Sequence, residues 1–359
     1  MPLLGILRLG SWAYGALVGL RNRRYDTQPC DPVSVPVISI GNITVGGTGK
    51  TPMVIAVAQW LLELGRNPVV VARGYRAEGG GANDEELVIR KHCPGVAYVA
   101  DSNRRAGAER AIHRLAADCV VLDDGFQHRK LPRQLDIVLV DATCPFGFGF
   151  LLPRGLLREP VRSLKRADVI VLTRCDQASQ RQREQIARVV SRVNGRAPCL
   201  SARHAVVGIE RLDGSAWSGE VSGKRAVVFG AIANPSALVT TVKTMGVAVV
   251  GTRWWSDHHR YTRGELNHLL QSGRFPPHEF LMTTEKDAVK LAQLTGIDTT
   301  RVLVVKVGID FEGGGDTILQ DVVRQTVGKR TSGDASVPTD RSGAGDNLQR
   351  AATVPQSDR

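Results

Sequence analysis

The feature that most constrains the fold is a glycine-rich loop between an apolar strand-like run and a helix-like run. The stretch VPVISIGNITVGGTGKTPMVIAVAQWLLELG covers residues 35–65. Backbone N–H groups of such a loop and the following helix N-terminus bind phosphate, while its lysine reaches the β- and γ-phosphates and its threonine hydroxyl binds Mg²⁺. Because the strict pattern has glycine where this chain has Thr44, the motif is a variant P-loop, with a non-binding glycine turn as the alternative. The predicted phosphate cradle comprises Gly46, Gly47, Thr48, Gly49, Lys50 and Thr51.

Short β-branched runs alternate with helix-like stretches along the rest of the chain, which predicts the α/β class. We expect a parallel sheet of the P-loop NTPase type with helices on both faces, and a second, smaller α/β domain. The predicted division is an N-terminal amphipathic, membrane-associating helix at 1–25, the P-loop domain at 26–200, the smaller substrate and closure domain at 201–328 and a disordered tail at 329–359.

Charge restricts the classes of partner. The 47 Lys and Arg residues exceed the 35 Asp and Glu residues, for a formal charge of +12, so nucleotide phosphates, nucleic acid or anionic lipid are all compatible ligands. Six cysteines without CxxC spacing indicate neither a disulfide framework nor a zinc module.

The first twenty residues form an apolar segment with a basic end. Residues 3–20 are apolar apart from Arg8 and Ser11, and Arg21, Arg23 and Arg24 follow. This pattern favours a helix that lies in a membrane interface over one that spans the bilayer. The alternative is a first helix that docks on the protein's own core.

Two groups of acidic residues are candidates for chemistry. Asp123 and Asp124 end a hydrophobic strand, where a P-loop enzyme holds its metal. Asp84 and Glu85 lie in an acidic run far from His258 in sequence, and a carboxylate base oriented by a histidine is one interpretation of these residues. Ordinary solvated charges are the other interpretation.

A series of motifs between residues 36 and 291 resembles one family. In order they read GNITVGGTGKTP, ARGY, NDEE, DDGFQH, GFLLPRGLLREP, TRCD, DHH and TEKDAVKL. The chain closely resembles the tetraacyldisaccharide 4′-kinases, the ATP-dependent kinases of lipid A biosynthesis. The resemblance implies ATP and Mg²⁺ as cofactors and a tetraacylated glucosamine disaccharide 1-phosphate, the lipid A precursor, as substrate. It also implies a monotopic enzyme on the cytoplasmic face of the inner membrane, on anionic lipid, with no nucleic acid and no obligate protein partner.

The same resemblance implies roles for individual residues. Lys50 and Thr51 would hold the triphosphate and Mg²⁺, and Asp123 and Asp124 would be the metal-side acids. Asp84 would be the catalytic base, supported by Glu85 and paired with His258. The implied contacts of substrate or phosphate are Arg73, Tyr75, Arg104 and Gln127, and the matching positions without a derivable role are Glu159, Glu285 and Asp287.

A second class of function is also compatible with a P-loop. A GTPase or ATPase switch, or a protein that delivers a metal or a partner, would use the same loop. Such a switch is expected to have an N-K-x-D motif and metal-binding Cys/His spacing, and the sequence has neither. Because the predicted base and its histidine belong to different predicted domains, we also expect the second domain to close over the substrate.

Overall fold

The computed structural model describes residues 2–28, 30–74, 82–270, 275–294, 296 and 299–328. Helices and strands alternate along most of this length. Their bounds are α1 (Pro2–Thr27), β1 (Val37–Asn42), α2 (Lys50–Glu63), β2 (Pro68–Ala72), α3 (Asp84–His92), β3 (Ala97–Ala100), α4 (Arg104–Leu115), β4 (Cys119–Asp123), β5 (Leu135–Asp141), β6 (Val169–Thr173), α5 (Gln180–Val193), β7 (Cys199–Arg211), β8 (Arg225–Gly230), α6 (Pro235–Thr244), β9 (Ala248–Trp254), α7 (Arg263–Leu270), β10 (Phe280–Thr284), α8 (Glu285–Leu291), β11 (Val302–Phe311) and α9 (Gly315–Gly328).

The described strands form one sheet in the order β3-β2-β4-β1-β5-β6-β7-β11-β10-β8-β9. Neighbouring strands are parallel except β7 and β11, which pair antiparallel. Strands β1, β2, β4, β5 and β6 are buried along their whole length, as expected where helices cover both faces of a parallel sheet. The predicted α/β fold of the P-loop type is therefore confirmed.

Strand β7 belongs to both parts of this sheet. Its first residues, 199–201, pair with β6, and residues from 202 onward pair with β11. The predicted boundary at residue 200 thus falls within a continuous strand. Helix α9, which the prediction assigns to the second domain, packs Leu319, Val323 and Val327 into the core beside α2. The division into domains stays a prediction, and the tail at 329–359 lies outside the described residues.

Helix α1 docks on the protein through small and polar residues. The Ser11 hydroxyl donates to the Leu151 carbonyl over 2.7 Å, and a Cβ on Gly15 would lie 2.9 Å from the Leu151 side chain. Val18 of α1 is buried, but most of the large apolar side chains of the helix are exposed. The exposed ones are Leu4, Ile6, Leu9, Trp12, Leu17 and Leu20. The docking interpretation of the N-terminus thus describes one face of the helix, and membrane association of the other face stays a prediction.

The length and hydropathy of the helices bear on membrane crossing. Among the described residues, no helix combines the length and the apolar character that a bilayer span requires.

Candidate active site

The glycine-rich loop connects β1 to α2 at the carboxyl edge of the sheet. Gly46 and Gly49 have φ of 114° and 90°, in the left-handed region that glycine adopts without strain. Gly49 also caps α2, and a Cβ there would lie 2.2 Å from His204 Nε2. Glycine at position 49 is therefore required both by the backbone conformation and by the close approach of β7.

Side chains from neighbouring strands hold this loop in place. The Asn42 amide donates to the Thr48 hydroxyl over 2.9 Å, and the Thr173 hydroxyl donates to the Thr48 carbonyl over 3.0 Å. Arg174 donates to the Gly47 carbonyl over 2.7 Å and forms a buried ion pair with Asp141. Because these partners lie at the ends of β1, β5 and β6, the parallel sheet itself positions the loop.

A cavity of about 790 Å³ opens beside the loop. The predicted residues that line it are Gly46, Gly47, Thr48, Gly49, Lys50, Thr51, Arg73, Glu85, Arg104, Asp123, Asp124, Gln127 and His258. Asp84 is buried and is not part of the lining, and Tyr75 lies outside the described residues. Residues outside the predicted set also line the cavity, among them Tyr14, Arg158, Asp257 and Lys286.

Asp123 and Asp124 at the end of β4 have opposite electrostatic environments. Burial raises the pKa of Asp123 to about 7, and the charge of Glu85 adds to the rise. Burial also raises the pKa of Asp124, but Lys50 and Arg158 outweigh it and hold that pKa below its usual value. Lys50 Nζ lies 3.6 Å from Asp124 Oδ1. In the described part of the chain, Asp123 forms no salt bridge.

Arg158 is the main partner of Asp124. Its Nη1 donates to Oδ1 over 2.9 Å and to Oδ2 over 2.7 Å. Gln127 is close by, where its amide donates to the Asn42 carbonyl over 2.8 Å. Gln127 thus links the DDGFQH segment to the end of β1.

Asp84 and His258 meet across the two halves of the sheet. His258 Nδ1 lies 3.2 Å from Asp84 Oδ1 and 3.1 Å from Oδ2. Burial raises the pKa of Asp84, but the His258 hydrogen bond and the charges of Lys286 and Lys290 outweigh it, so the pKa is lowered. The hydrogen bond to Asp84 in turn raises the pKa of His258. Asp84 reaches the cavity through His258.

Lys286 joins three acids around this pair. Its Nζ lies 3.8 Å from Asp84 Oδ2, 3.5 Å from Glu85 Oε1 and 3.4 Å from Asp257 Oδ1. Lys286 belongs to the TEKD motif, which the sequence analysis singled out for its acids. Its own pKa is raised, because these acids outweigh the effect of burial. The lysine therefore stays charged at the cavity wall.

Arg104 places a second buried cation near the carboxylates of β4. The side chain is 5% exposed at the first position of α4, and its Nε has no hydrogen-bond partner within the described residues. Burial lowers its pKa, while Asp124 and Asp123 oppose that effect. Arg104 lines the cavity. Arg73, at the end of β2, also lines the cavity.

The three positions without a derived role are structural anchors in this fold. Glu159 is fully buried and accepts from Arg21, Asn22 and Arg166. Glu285 pairs with His92 over 2.7 Å and so joins α8 to α3. Asp287 accepts from the Tyr261 hydroxyl over 2.8 Å.

Sequence reasoning missed Arg158 and Lys286 as residues of the cavity. Both lie in family motifs, GFLLPRGLLREP and TEKDAVKL, next to Glu159 and Glu285. A motif gives the residue types in order, but which side chain of a run faces a cavity depends on the packing of elements distant in sequence.

Comparison with known proteins gives one consistent result. The model of the family described as LpxK, tetraacyldisaccharide-1-P 4'-kinase, matches residues 3–324. The tetraacyldisaccharide 4'-kinase of Anaeromyxobacter sp. (strain K) is 38% identical over 335 residues, which are 87% of this chain and 88% of that one. The Geobacter metallireducens protein of the same name is 38% identical over 309 residues, 80% of this chain and 88% of its own. The crystal structure of LpxK from Aquifex aeolicus in complex with ATP is similar with a TM-score of 0.68 and 25% identity, and the match covers 90% of this chain and 99% of that chain.

Proposed function

The chain belongs to the tetraacyldisaccharide-1-P 4'-kinase family, and we propose that its cavity performs that transfer with Asp84 and His258 as the proton-accepting pair. The protein is an ATP-dependent kinase that phosphorylates the 4′-hydroxyl of the tetraacylated disaccharide 1-phosphate, a lipid A precursor, to give lipid IVA. The observation that best supports the residue roles is that Lys50 of the loop and His258 line one cavity.

The chemical problem is the weak acidity of the attacking alcohol. The 4′-oxygen attacks the γ-phosphorus, the bond from that phosphorus to the oxygen of ADP breaks, and the hydroxyl proton must leave as attack proceeds. The imidazole of His258 faces the cavity, and the Asp84 carboxylate behind it stabilises its protonated form. His258 and Asp84 together accept this proton, with Asp84 as the carboxylate base. Lys286 positions Glu85 beside them.

The phosphate side of the cavity is basic. Lys50 and the N-terminus of α2 are suited to the transferred phosphoryl group, whose developing charge needs preorganised positive partners. Arg104, with its unpaired Nε, and Arg73 are suited to substrate or nucleotide phosphate. Gln127 lines the same wall.

The residues at the end of β4 suit Mg²⁺. Thr51, Asp123 and Asp124 would hold it, and a divalent cation would compensate the buried Asp123, whose pKa is raised to about 7. Within the described residues no group of three or more His, Cys, Asp or Glu forms a metal cage. Mg²⁺ in phosphoryl-transfer sites usually takes one or two carboxylates plus water and substrate phosphates, so the pair is sufficient. When bound, the ion neutralises charge on the transferring phosphoryl group.

The exposed face of α1 suits a lipid surface. Trp12, Leu9 and Leu17 are 72%, 71% and 67% exposed, and Phe148 on a neighbouring loop is 74% exposed. Arg23 and Arg24 add positive charge at the helix end, which anionic headgroups attract, whereas Arg21 of the same basic run is paired with Glu159. We propose that this face holds the enzyme on the cytoplasmic side of the inner membrane, where the acyl chains of the substrate remain.

The activity is tested by transfer from γ-³²P-labelled ATP to the purified disaccharide lipid in detergent. We expect labelled lipid with ATP and little with GTP. Preference for GTP hydrolysis together with unlabelled lipid would instead support the switch protein.

Membrane attachment is tested by sedimentation with vesicles that contain anionic lipid. The double variant Leu9→Gln/Leu17→Gln should lose most of its vesicle binding, because it removes two exposed apolar side chains from the face. Val207→Gln, which changes a residue 61% exposed on β7, is the matched control. Equal sedimentation of both variants would show that a different surface binds the membrane.

A further inference from the structure

Glu159 is a buried carboxylate held largely by the N-terminal helix. Its Oε1 accepts from Arg21 Nη2 over 3.0 Å, and its Oε2 accepts from Asn22 over 3.2 Å and from Arg166 over 2.8 Å. The side chain has no exposed surface. A buried charge is strongly unfavourable unless its partners are in place. This contact therefore fixes a single docking position of α1 on the segment that contains Glu159.

The preceding residue, Arg158, connects the same segment to the cavity. Its side chain makes the two-oxygen contact with Asp124 described above. Its backbone N–H donates to the Ile43 carbonyl over 2.8 Å, at the start of the phosphate loop. Its carbonyl accepts from the Tyr14 hydroxyl of α1 over 2.9 Å. Helix α1 therefore contacts both residues of the Arg158–Glu159 dipeptide. The side chain of Arg158 in turn holds Asp124, one of the two acids proposed to bind the metal.

We propose that Glu159 is a positioning residue through which docked α1 holds Arg158 against Asp124. Tyr14 is the second connection of the same kind. The inference rests on the proposed function for the reaction that Asp124 serves. In consequence α1 contributes to turnover as well as to membrane attachment, and the two contributions depend on opposite faces of the helix.

The two faces can be separated by mutation. The residues that contact the dipeptide are Tyr14, Arg21 and Asn22, whereas Leu9 and Leu17 are exposed. An enzyme assayed with substrate in detergent micelles does not need vesicle attachment. A loss of turnover in micelles caused by a change at Glu159 or Tyr14 therefore cannot come from loss of membrane binding.

The test compares kcat and KM for ATP in micelles for Glu159→Gln and Tyr14→Phe. We expect kcat to fall about tenfold for Glu159→Gln and about threefold for Tyr14→Phe, within the usual range of coupling in a shared network. KM for ATP and vesicle binding should stay close to wild type. Glu184→Gln, at an exposed position on α5, is the control for the substitution type and should leave kcat unchanged.

A double-mutant cycle distinguishes positioning from general damage. In an Arg158→Ala background, Glu159→Gln should add little further loss of kcat, because the group it positions has been removed. Losses that simply multiply, or wild-type kcat in both folded variants, would overturn the inference. If Glu159→Gln fails to fold, Tyr14→Phe, which loses only a hydroxyl, decides the matter in the same cycle. Wild-type enzyme that transfers no phosphate would instead overturn the proposed function.

Discussion

Two pairs of adjacent acids, Asp84–Glu85 and Asp123–Asp124, lie at the same cavity with different electrostatics, and of the four only Asp84 lies behind the lining. Asp84 has His258, Lys286 and Lys290 around it, and these lower its pKa despite burial. At Asp123 the charge of Lys50 is outweighed, and burial raises the pKa to about 7. The protein thus compensates the first pair with its own cations. In the second pair Lys50 and Arg158 compensate Asp124, and the buried Asp123 is the acid that an added cation would balance. The first pair is suited to a proton and the second to a metal.

Loss of Lys50, the lysine beside the Asp123–Asp124 pair, should reduce turnover the most. Lys50→Ala should lower kcat about 10³-fold, because it removes a preorganised charge from the transferring phosphoryl group. The measurement is ³²P transfer to the lipid in detergent. Lys243→Ala, at an exposed position on α6, should keep wild-type activity. Retained turnover in Lys50→Ala would mean that the loop does not bind the triphosphate as proposed.

The next effect compares the members of the first pair. Asp84→Asn should lower kcat about 10²-fold, the usual scale for loss of a general base, with little change in ATP binding. Glu85→Gln should cost less, because Glu85 contacts Lys286 rather than His258. Steady-state kinetics of both variants provides the measurement. Equal losses would show that the pair acts through its total charge.

The metal requirement tests the second pair directly. Asp123→Asn should raise the Mg²⁺ concentration needed for half-maximal activity by about tenfold or more, because it removes the buried negative charge. Asp84→Asn should leave that concentration unchanged. A similar shift in both variants would remove the distinction between a proton-accepting pair and a metal-binding pair.

The smallest effect is a shift of the pH profile. The pKa of His258 is raised above its usual 6.5 by the hydrogen bond to Asp84, so the neutral imidazole forms only as pH rises through that raised value. We expect kcat/KM to increase with pH over this range. In Asp84→Asn the hydrogen bond to a carboxylate is lost, and the rising limb of the residual activity should move to lower pH. An unmoved limb would show that another group controls it.

Several parts of the fold were predictable because local sequence and burial agree. Strands β1, β4 and β5 are continuous apolar runs since both faces of a parallel sheet are covered. Strand β7 lacks this signal, because it mixes charged and apolar residues and is only partly buried. Strand β3 has only four residues, too few for a clear apolar run.

The candidate site likewise has residues that a motif locates and contacts that depend on elements distant in sequence. The phosphate loop and Asp123 are contiguous with a strand, so a motif locates them. The Asp84–His258 contact joins residues that are 174 positions apart, and a resemblance suggested the pairing that spacing could not. Arg158 was missed because its contacts include the docking face of α1. The apolar pattern of that helix indicates only the opposite, exposed face.

Strand β7 also has a mechanical consequence for the predicted closure. It is hydrogen-bonded to β6 at one end and to β11 at the other, so the two halves of the molecule share a strand rather than a loose tether. Closure of one half over the other would then require elastic bending of a shared strand rather than free rotation about a hinge. The register of β11 against β7 shifts between Lys306 and Val307, and an irregularity of this kind locally bends a strand and increases its twist.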